Sequence, residues 1–485
     1  MRGSNLIQHR PYIHPLHREK RNSPFICRLA PSANGFELEW LDLGKEGSCM
    51  LYYGVREEEK KECLKVTESS VKVSGLETDC DYELYLETAK GARSMTRLVR
   101  TGTIPKGCTV INYLHPEDDA YDFSGKYLCS PSLSRVKSGR LIAGMDLYGH
   151  HMAQNLTLHF YSDDDGKTWH YMQDLYPFYW STLFVHKDVL YMLGLTTEYG
   201  NLQIACSADE GQTWSAPVTL FYGSNVLCRY GGFHRAPMHV VPYQGKLYTT
   251  CEYGSWEAGA HLPAILSVDL DADLMDPQSW NRSEHLFFEG KWKEKAGTIG
   301  DTMEGNIVPG KDGCLYSYLR WKTGSLLKLK VNAQEPDKAP EFVDIIEAPV
   351  TNSMFRIIPI PAEQGKEEHS KEEHSKEDQG REEQKKDQVP DKYYMISNRR
   401  TPAMMESGFF TCRNVLSLCE TNDLEHFQVV KDIVNAESED PGKVGFQYPV
   451  FLYEEGKLSL VIRSAFNNAN SAHDSNYMLF YQTDV

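Results

Sequence analysis

Apolar and polar residues alternate along this chain with a period of two far more often than with a helical period. Phe36-Glu-Leu-Glu-Trp40 alternates strictly. Met50-Leu-Tyr-Tyr53, Ser70-Val-Lys-Val-Ser74, Tyr82-Glu-Leu-Tyr-Leu-Glu87 and Thr96-Arg-Leu-Val-Arg-Thr101 are further short runs set between turn residues. Such runs read as β-strands exposed on one face. Farther along, the runs fill in: Leu141-Ile-Ala-Gly-Met-Asp146, Leu156-Thr-Leu-His-Phe-Tyr161, Leu202-Gln-Ile-Ala-Cys206 and Leu458-Ser-Leu-Val-Ile-Arg463. Near-continuous apolar runs of this length read as apolar strands. Helical periodicity is nearly absent, so the expected fold class is all-β.

One stretch occurs twice. Ser162-Asp-Asp-Asp-Gly-Lys-Thr-Trp169 is followed 45 residues later by Ser207-Ala-Asp-Glu-Gly-Gln-Thr-Trp214, and both read Ser-x-Asp-x-Gly-x-Thr-Trp. Each follows an apolar strand, so each predicts a hairpin. The Asp bonds neighbouring backbone N–H groups, the Gly supplies a positive φ, and the Trp returns as an anchor on the next strand. Ser267 to Trp280 reads as a copy with an insertion, and Glu420 to Phe427 as one with its Gly and Trp replaced. A repeat at this period signals propellers or arrays. The motif resembles the Asp-box, or bacterial neuraminidase repeat, of sialidases and related six-bladed β-propellers. The resemblance speaks to fold, and the box carboxylates are expected to hold turns.

The expected organisation is a leader over 1–21, a small β-sandwich over 22–103 and a six-bladed propeller over 105–485. The propeller is interrupted by a charged insertion at about 362–390. Room for six blades follows from about 40–60 residues per four-stranded blade. In the sandwich, Trp40 as core anchor, Leu76 and Tyr82 placed as in a tyrosine corner, and the closing Arg100-Thr-Gly102 resemble a fibronectin type III module. That resemblance implies a spacer or docking platform with no chemistry of its own. The insertion repeats Glu-Glu-His-Ser-Lys and holds no large apolar residue before Val389. It is expected to be disordered, its His and Glu residues a solvated charge run and no metal site.

Composition narrows the function. A formal net charge of −17 argues against nucleic acid or an anionic membrane surface as partner, and no apolar run is long enough to span a bilayer. The polar, basic N-terminus has no apolar core, so it does not read as a secretory signal. Twelve scattered cysteines without a Cys-x-x-Cys pair favour a reducing compartment, giving a cytoplasmic expectation. The expected partner is a carbohydrate, and no metal or other cofactor is called for.

Charged residues embedded beside apolar strands mark candidate chemistry, because burying a charge without a partner is costly. Asp146 ends a strand before a loop with Tyr148, His150 and His151 and is the first candidate for a proton donor; a loop cap is the other reading. His234 and Arg235 flank a Gly-Gly turn. Glu304 enters a strand and Arg320 leaves its partner, as catalytic base and cation or as a buried structural pair. Arg400 follows the strand Tyr393-Tyr-Met-Ile396. Arg463, His473 and Asp474 lie in the last blade, for acid/base work or for ring closure. The catalytic set is therefore Asp146, Glu304, His473 and Asp474. The substrate-binding set is His151, His234, Arg235, Arg320, Arg400, Tyr448 and Arg463.

The resemblance to sialidases implies three arginines clamping a carboxylate and a Tyr nucleophile backed by Glu. The strand that carries the first of those arginines in sialidases is here Tyr127-Leu-Cys-Ser-Pro-Ser-Leu-Ser134, without Arg, and Tyr448 and Tyr477 are both open as nucleophile. The expected function is a glycoside hydrolase acting on an anionic or polyhydroxylated glycan. A non-catalytic glycan- or protein-binding propeller and a polysaccharide lyase are the alternatives.

Overall fold

From residue 108 onward the chain is laid down as six successive sheets, each a four-stranded meander at heart. The structure is a computed structural model and describes residues 8–9, 22–225, 231–361, 390–402, 404 and 412–485. Most of the leader and nearly all of the charged insertion lie outside the described residues.

The innermost strands of the six sheets begin at Tyr127, Tyr179, Gly232, Met303, Arg356 and Gly445. The sixth sheet takes its outer strand from the start of the series: Cys108–Tyr113 pairs with Tyr477–Asp484, with Tyr113 opposite Tyr477. Joining the first strand to the last sheet closes the ring, as in a β-propeller, and leaves only the short outer edges of the sheets open. The first sheet gains the short strand Gln8–His9 on its outer edge.

Burial follows radius. Leu141–Tyr148 is buried at every position but the last, and Lys457–Ala465 at every position but the first. These second strands pack on a neighbouring sheet on each side. The outermost strands alternate or face solvent, as in Glu341–Glu347 and Gln428–Asn435.

The two Ser-x-Asp-x-Gly-x-Thr-Trp turns carry the same bonds. Asp164 accepts from Thr168 N at 2.9 Å and Thr168 Oγ1 at 2.6 Å; Asp209 accepts from Thr213 N at 2.8 Å and Thr213 Oγ1 at 2.5 Å. Gly166 and Gly211 both have φ of 86°. A Cβ on Gly166 would sit 2.0 Å from the Phe480 ring, so the glycine also permits close packing between sheets. Trp169 and Trp214 are buried, each donating its indole N–H to the turn glycine's carbonyl. In the fifth sheet Asp423 rebuilds the turn by accepting from Glu425 N and His426 N, with Leu424 at φ 62° in the glycine's place.

The N-terminal sandwich pairs a three-stranded sheet (Phe25–Ser32, Gly35–Leu41, Ser70–Ser74) with a four-stranded one (Cys49–Val55, Glu62–Val66, Asp81–Thr88, Arg97–Arg100). Trp40, Leu51, Tyr82 and Val99 fill its core, and the Tyr82 hydroxyl accepts from Glu77 N at 3.0 Å. The sandwich is fixed to the ring by polar contacts under cover. Arg28 donates to Ile111 O at 2.8 Å and Val110 O at 3.2 Å, Arg97 to Asp118 at 2.6 Å, and Tyr171 N to Glu39 at 2.8 Å.

Candidate active site

Four of the six innermost strands share one irregularity. Pairing slips after Cys129, Tyr179, Met303 and Gln447, where two residues of the inner strand oppose one of its neighbour. The first extra residue in each is a non-glycine at positive φ: Ser130 (47°), Trp180 (48°), Glu304 (62°) and Tyr448 (57°). A β-bulge re-aims a side chain that a regular strand would bury between sheets. The partner residues facing the last regular pair are Asp146, Leu195, Arg320 and Arg463, one equivalent position in four sheets.

All six sheets contribute to a cavity of about 470 Å³, which places it on the axis of the ring. Its floor is Tyr448, whose hydroxyl donates to Glu304 Oε1 at 2.5 Å. Arg320 Nη1 reaches both Glu304 oxygens at 3.3 Å and the Tyr448 oxygen at 3.5 Å, while its Nε donates to Asn352 at 2.6 Å. Burial first, then the Glu304 charge, raises the Tyr448 pKa, against the pull of Arg320, Arg463 and Arg413.

Beside Tyr448 stand two more guanidiniums. Arg463 lies over the Tyr448 ring at 4.0 Å and donates to Gln447 Oε1 at 3.3 Å; Arg413 donates to the same oxygen and to Asn352 O at 3.2 Å. Among the described residues neither has a carboxylate within ion-pairing distance, although both are more than nine-tenths buried. Burial lowers the Arg413 pKa to about 10. Gln447 is tied in turn by its amide N–H groups to Ala472 O at 2.5 Å and His473 O at 3.3 Å.

One wall is aromatic. Trp180 packs on His234 with ring centroids 4.3 Å apart, and Trp256, half exposed, donates its indole N–H to Glu198 at 2.9 Å. His234 is fixed from behind by Glu252 at 3.1 Å, and Glu252 also accepts from Gly305 N, next to Glu304, at 3.3 Å. The opposite wall holds Tyr148, His150, His473 and Asp474. His473 Nδ1 meets Asp474 at 3.0 Å. Burial lowers the His473 pKa to about 4, and the bond from His473 holds Asp474 below the usual carboxylate range against a desolvation penalty.

Of the residues singled out in the sequence, His234, Arg320, Tyr448, Arg463, His473 and Asp474 line this cavity, with Glu304 directly behind Tyr448. Four lie elsewhere. Asp146 is fully buried behind the cavity wall, accepting from Ser181 N at 3.1 Å and Ser181 Oγ at 2.9 Å, so it braces the bulge that carries Trp180. Arg235 is also buried, spent on Thr182, Met238 O and Thr249 between the second and third sheets. His151 is exposed at φ 62°, and its neighbour His150 faces the cavity instead. Arg400 lies against the hairpin at Gly324. Tyr477, the other candidate nucleophile, is buried against Phe466 and Tyr113.

Arg413, Gln447, Trp180, Trp256 and Glu252 were not among the candidates. Arg413 sits between buried Cys412 and the strand Val415–Thr421, the same charge-beside-apolar signal that marked Arg463. Trp180 belongs to an aromatic run that reads as core.

No protein-family model matches the chain, and no curated sequence is significantly similar to it. Solved structures do align over most of its length. A leech intramolecular trans-sialidase matches with TM-score 0.50 at 10% identity, over 96% of this chain and 92% of the other. A Penicillium chrysogenum α-L-arabinanase complexed with arabinobiose gives 0.49 at 11%, over 79% and 98%. The NanB sialidase from Streptococcus pneumoniae gives 0.47 at 10%, over 96% and 93%. The class defined is an all-β propeller. At these identities the likeness is one of fold.

Proposed function

We propose that the protein is a retaining glycoside hydrolase acting on a glycan with an anionic substituent, with Tyr448 as nucleophile and Glu304 as its base. The observation that carries this is the 2.5 Å bond from Tyr448 to Glu304 beside two guanidiniums that have no carboxylate partner among the described residues. Tyr448 attacks the anomeric carbon as the glycosidic C–O bond breaks and the aglycone departs with the bonding pair as its oxyanion, while the phenolic proton passes to Glu304, and Arg320 holds that carboxylate in line. A neutral phenol in front of a carboxylate suits a substrate that is itself anionic, because no second charge meets it at close range. Arg413 and Arg463 take the anionic group, and Trp180 and Trp256 supply apolar faces for the sugar. Water then attacks the anomeric carbon, giving a proton to His473, and the Tyr448 oxygen leaves, taking back its proton from Glu304. The His473 Nδ1–H is committed to Asp474, which leaves Nε2 as the accepting nitrogen. Because His473 is neutral above pH about 4, leaving groups that depart without a proton are cleaved best near neutrality.

Sialyl and uronyl glycosides are the substrate classes this fits, the former in keeping with the sialidase-like motif. In the same reading residues 22–103 form a fibronectin type III-like platform docked on the propeller of residues 105–485.

The test is a panel of umbelliferyl sialyl, uronyl, arabinofuranosyl and neutral hexosyl glycosides. Cleavage of an anionic member is expected, and Tyr448→Phe and Glu304→Gln should each lower turnover ~10²–10⁴-fold without unfolding the protein. Full turnover in Tyr448→Phe would overturn the assignment. Binding of a glycan with no cleavage of any member would replace it by the binding-propeller reading.

A further inference from the structure

The aromatic wall of the cavity holds a carboxylate to which the proposed reaction gives no task. Glu198 lies in the turn joining Val189–Leu195 to Leu202–Ser207 in the second sheet, and it lines the cavity. Both of its oxygens are fixed by uncharged donors. Trp256 gives its indole N–H to Oε1 at 2.9 Å, and Gln154 gives an amide N–H to Oε2 at 2.9 Å. Gln154 is held in turn by the Tyr179 hydroxyl, which donates to its amide oxygen at 2.8 Å. Among the described residues Glu198 has no cationic partner. Asp474, the other carboxylate of the described lining, is engaged by His473 at 3.0 Å.

Each Glu198 oxygen keeps a further lone pair that nothing in the fold uses. Trp256, Trp180, Tyr179 and Tyr148 line the same cavity. Trp256 is 53% exposed yet held at two points, by its bond to Glu198 and by its backbone N–H to the Tyr199 hydroxyl at 2.9 Å. An exposed indole pinned to a cavity wall serves a ligand, because the core gains little from it. A carboxylate set among aromatic rings draws a cation twice over, through its own charge and through the negative faces of the rings. A neutral hydroxyl uses the lone pairs and gains nothing from the rings. At the other pole, Arg413 and Arg463 carry positive charge with no carboxylate partner among the described residues. A ligand complementary to both poles carries an acid at one end and an ammonium at the other.

We propose that Glu198 and Trp256 bind the ammonium group of an unacylated amino sugar, so that the substrate is a zwitterionic glycan whose acidic group lies on Arg413 and Arg463. This rests on the reading of the cavity as an anionic-glycan site and narrows its substrate class. Acylating the amine removes the charge that Glu198 takes, so N-acetylated glycans are disfavoured.

Wild-type full-length protein is titrated by calorimetry at about pH 6.5, where a sugar amine is protonated. The probes are three S-linked disaccharides of glucuronic acid whose second sugar is glucosamine, N-acetylglucosamine or glucose. The sulfur linkage resists hydrolysis, so binding is read apart from turnover. The glucosamine probe is expected to bind at least ~10-fold tighter than the other two, and Glu198→Gln to abolish that preference. The glucose probe binding as tightly as the glucosamine probe overturns the proposal, as does an amine preference kept by Glu198→Gln. If that variant does not fold, the wild-type ranking decides: amine first supports the proposal, and any other order refutes it. If all three probes bind alike, this inference alone falls. If none binds, the anionic-glycan reading falls and takes this inference with it.

Discussion

Replacing Asp146 by Asn distinguishes a brace from a proton donor. The carboxylate is fully buried and accepts from both Ser181 N and Ser181 Oγ, fixing the backbone next to Trp180. Burial raises its pKa from 3.8 to about 7, against the opposing effect of those bonds. The unfolded chain titrates near the lower value, so between the two the native state holds a proton that the unfolded state has lost. The stabilisation from the protonated carboxyl is therefore complete below pH about 4 and lost as the pH rises through about 7. Converted at about 1.4 kcal/mol per tenfold change in proton affinity, the gap is worth about 4 kcal/mol. Asparagine keeps an oxygen for Ser181 N and has no charge to bury. The variant should come closest to wild type near pH 4, be already ahead of it at pH 5 and melt higher still at pH 8, with turnover unchanged, since Asp146 is not on the cavity wall. Thermal unfolding of both proteins across that pH range, alongside hydrolysis assays, checks this. A wild-type midpoint flat from pH 5 to 8 would refute the burial account. A ~10²–10⁴-fold loss of turnover would restore Asp146 as the acid.

Gln447→Glu places a carboxylate between Arg413 and Arg463. KM for an anionic glycoside should rise at least ~10-fold with kcat little changed, while a neutral glycoside, if cleaved, is unaffected. Trp214→Ala empties a buried site at the turn glycine and should cost ~3–5 kcal/mol in denaturant unfolding. Trp256→Ala, at a half-exposed position, should leave unfolding nearly unchanged and weaken glycan binding, measured by titration calorimetry.

The strand pattern was legible because it is written in side chains that must be apolar whatever the protein does. Leu141 to Met145 and Leu458 to Ile462 are buried between sheets, and their runs read as apolar strands. The repeated turn was legible for the same reason: Ser, Asp, Gly and Trp each satisfy a local bond or packing contact that few other residues supply. The search for charges beside apolar strands found Asp146, Arg320 and Arg463, which do occupy one equivalent place in their sheets. It could not sort them, because that place faces the cavity or the adjoining bulge depending on side-chain length. Asp146 is short and stops at Ser181, whereas Arg320 and Arg463 reach Tyr448. Arg235 carried the same signal as Arg463 and proved structural. Its acceptors, Thr182 and Met238 O, come together only when the sheets pack.

The bulges explain why the site's chemistry departs from the sequence expectation while the fold does not. Each holds a non-glycine residue at positive φ, a strain of order 1 kcal/mol or more per residue, which the surrounding sheets must impose. The return is direction: at two of the bulges, Trp180 and Tyr448 line the cavity, and at a third Glu304 stands directly behind Tyr448. With the geometry built into the backbone, the residue at each bulge is free to differ, and Ser130, Trp180, Glu304 and Tyr448 share nothing but their place. The first sheet, whose strand Tyr127–Arg135 brings no arginine to the cavity, holds Ser130 at its bulge. Arg463, extending from the sixth sheet, bears electrostatically on the adjacent Cys129. Three guanidiniums, Arg320, Arg413 and Arg463, thus line the cavity without one from the first sheet.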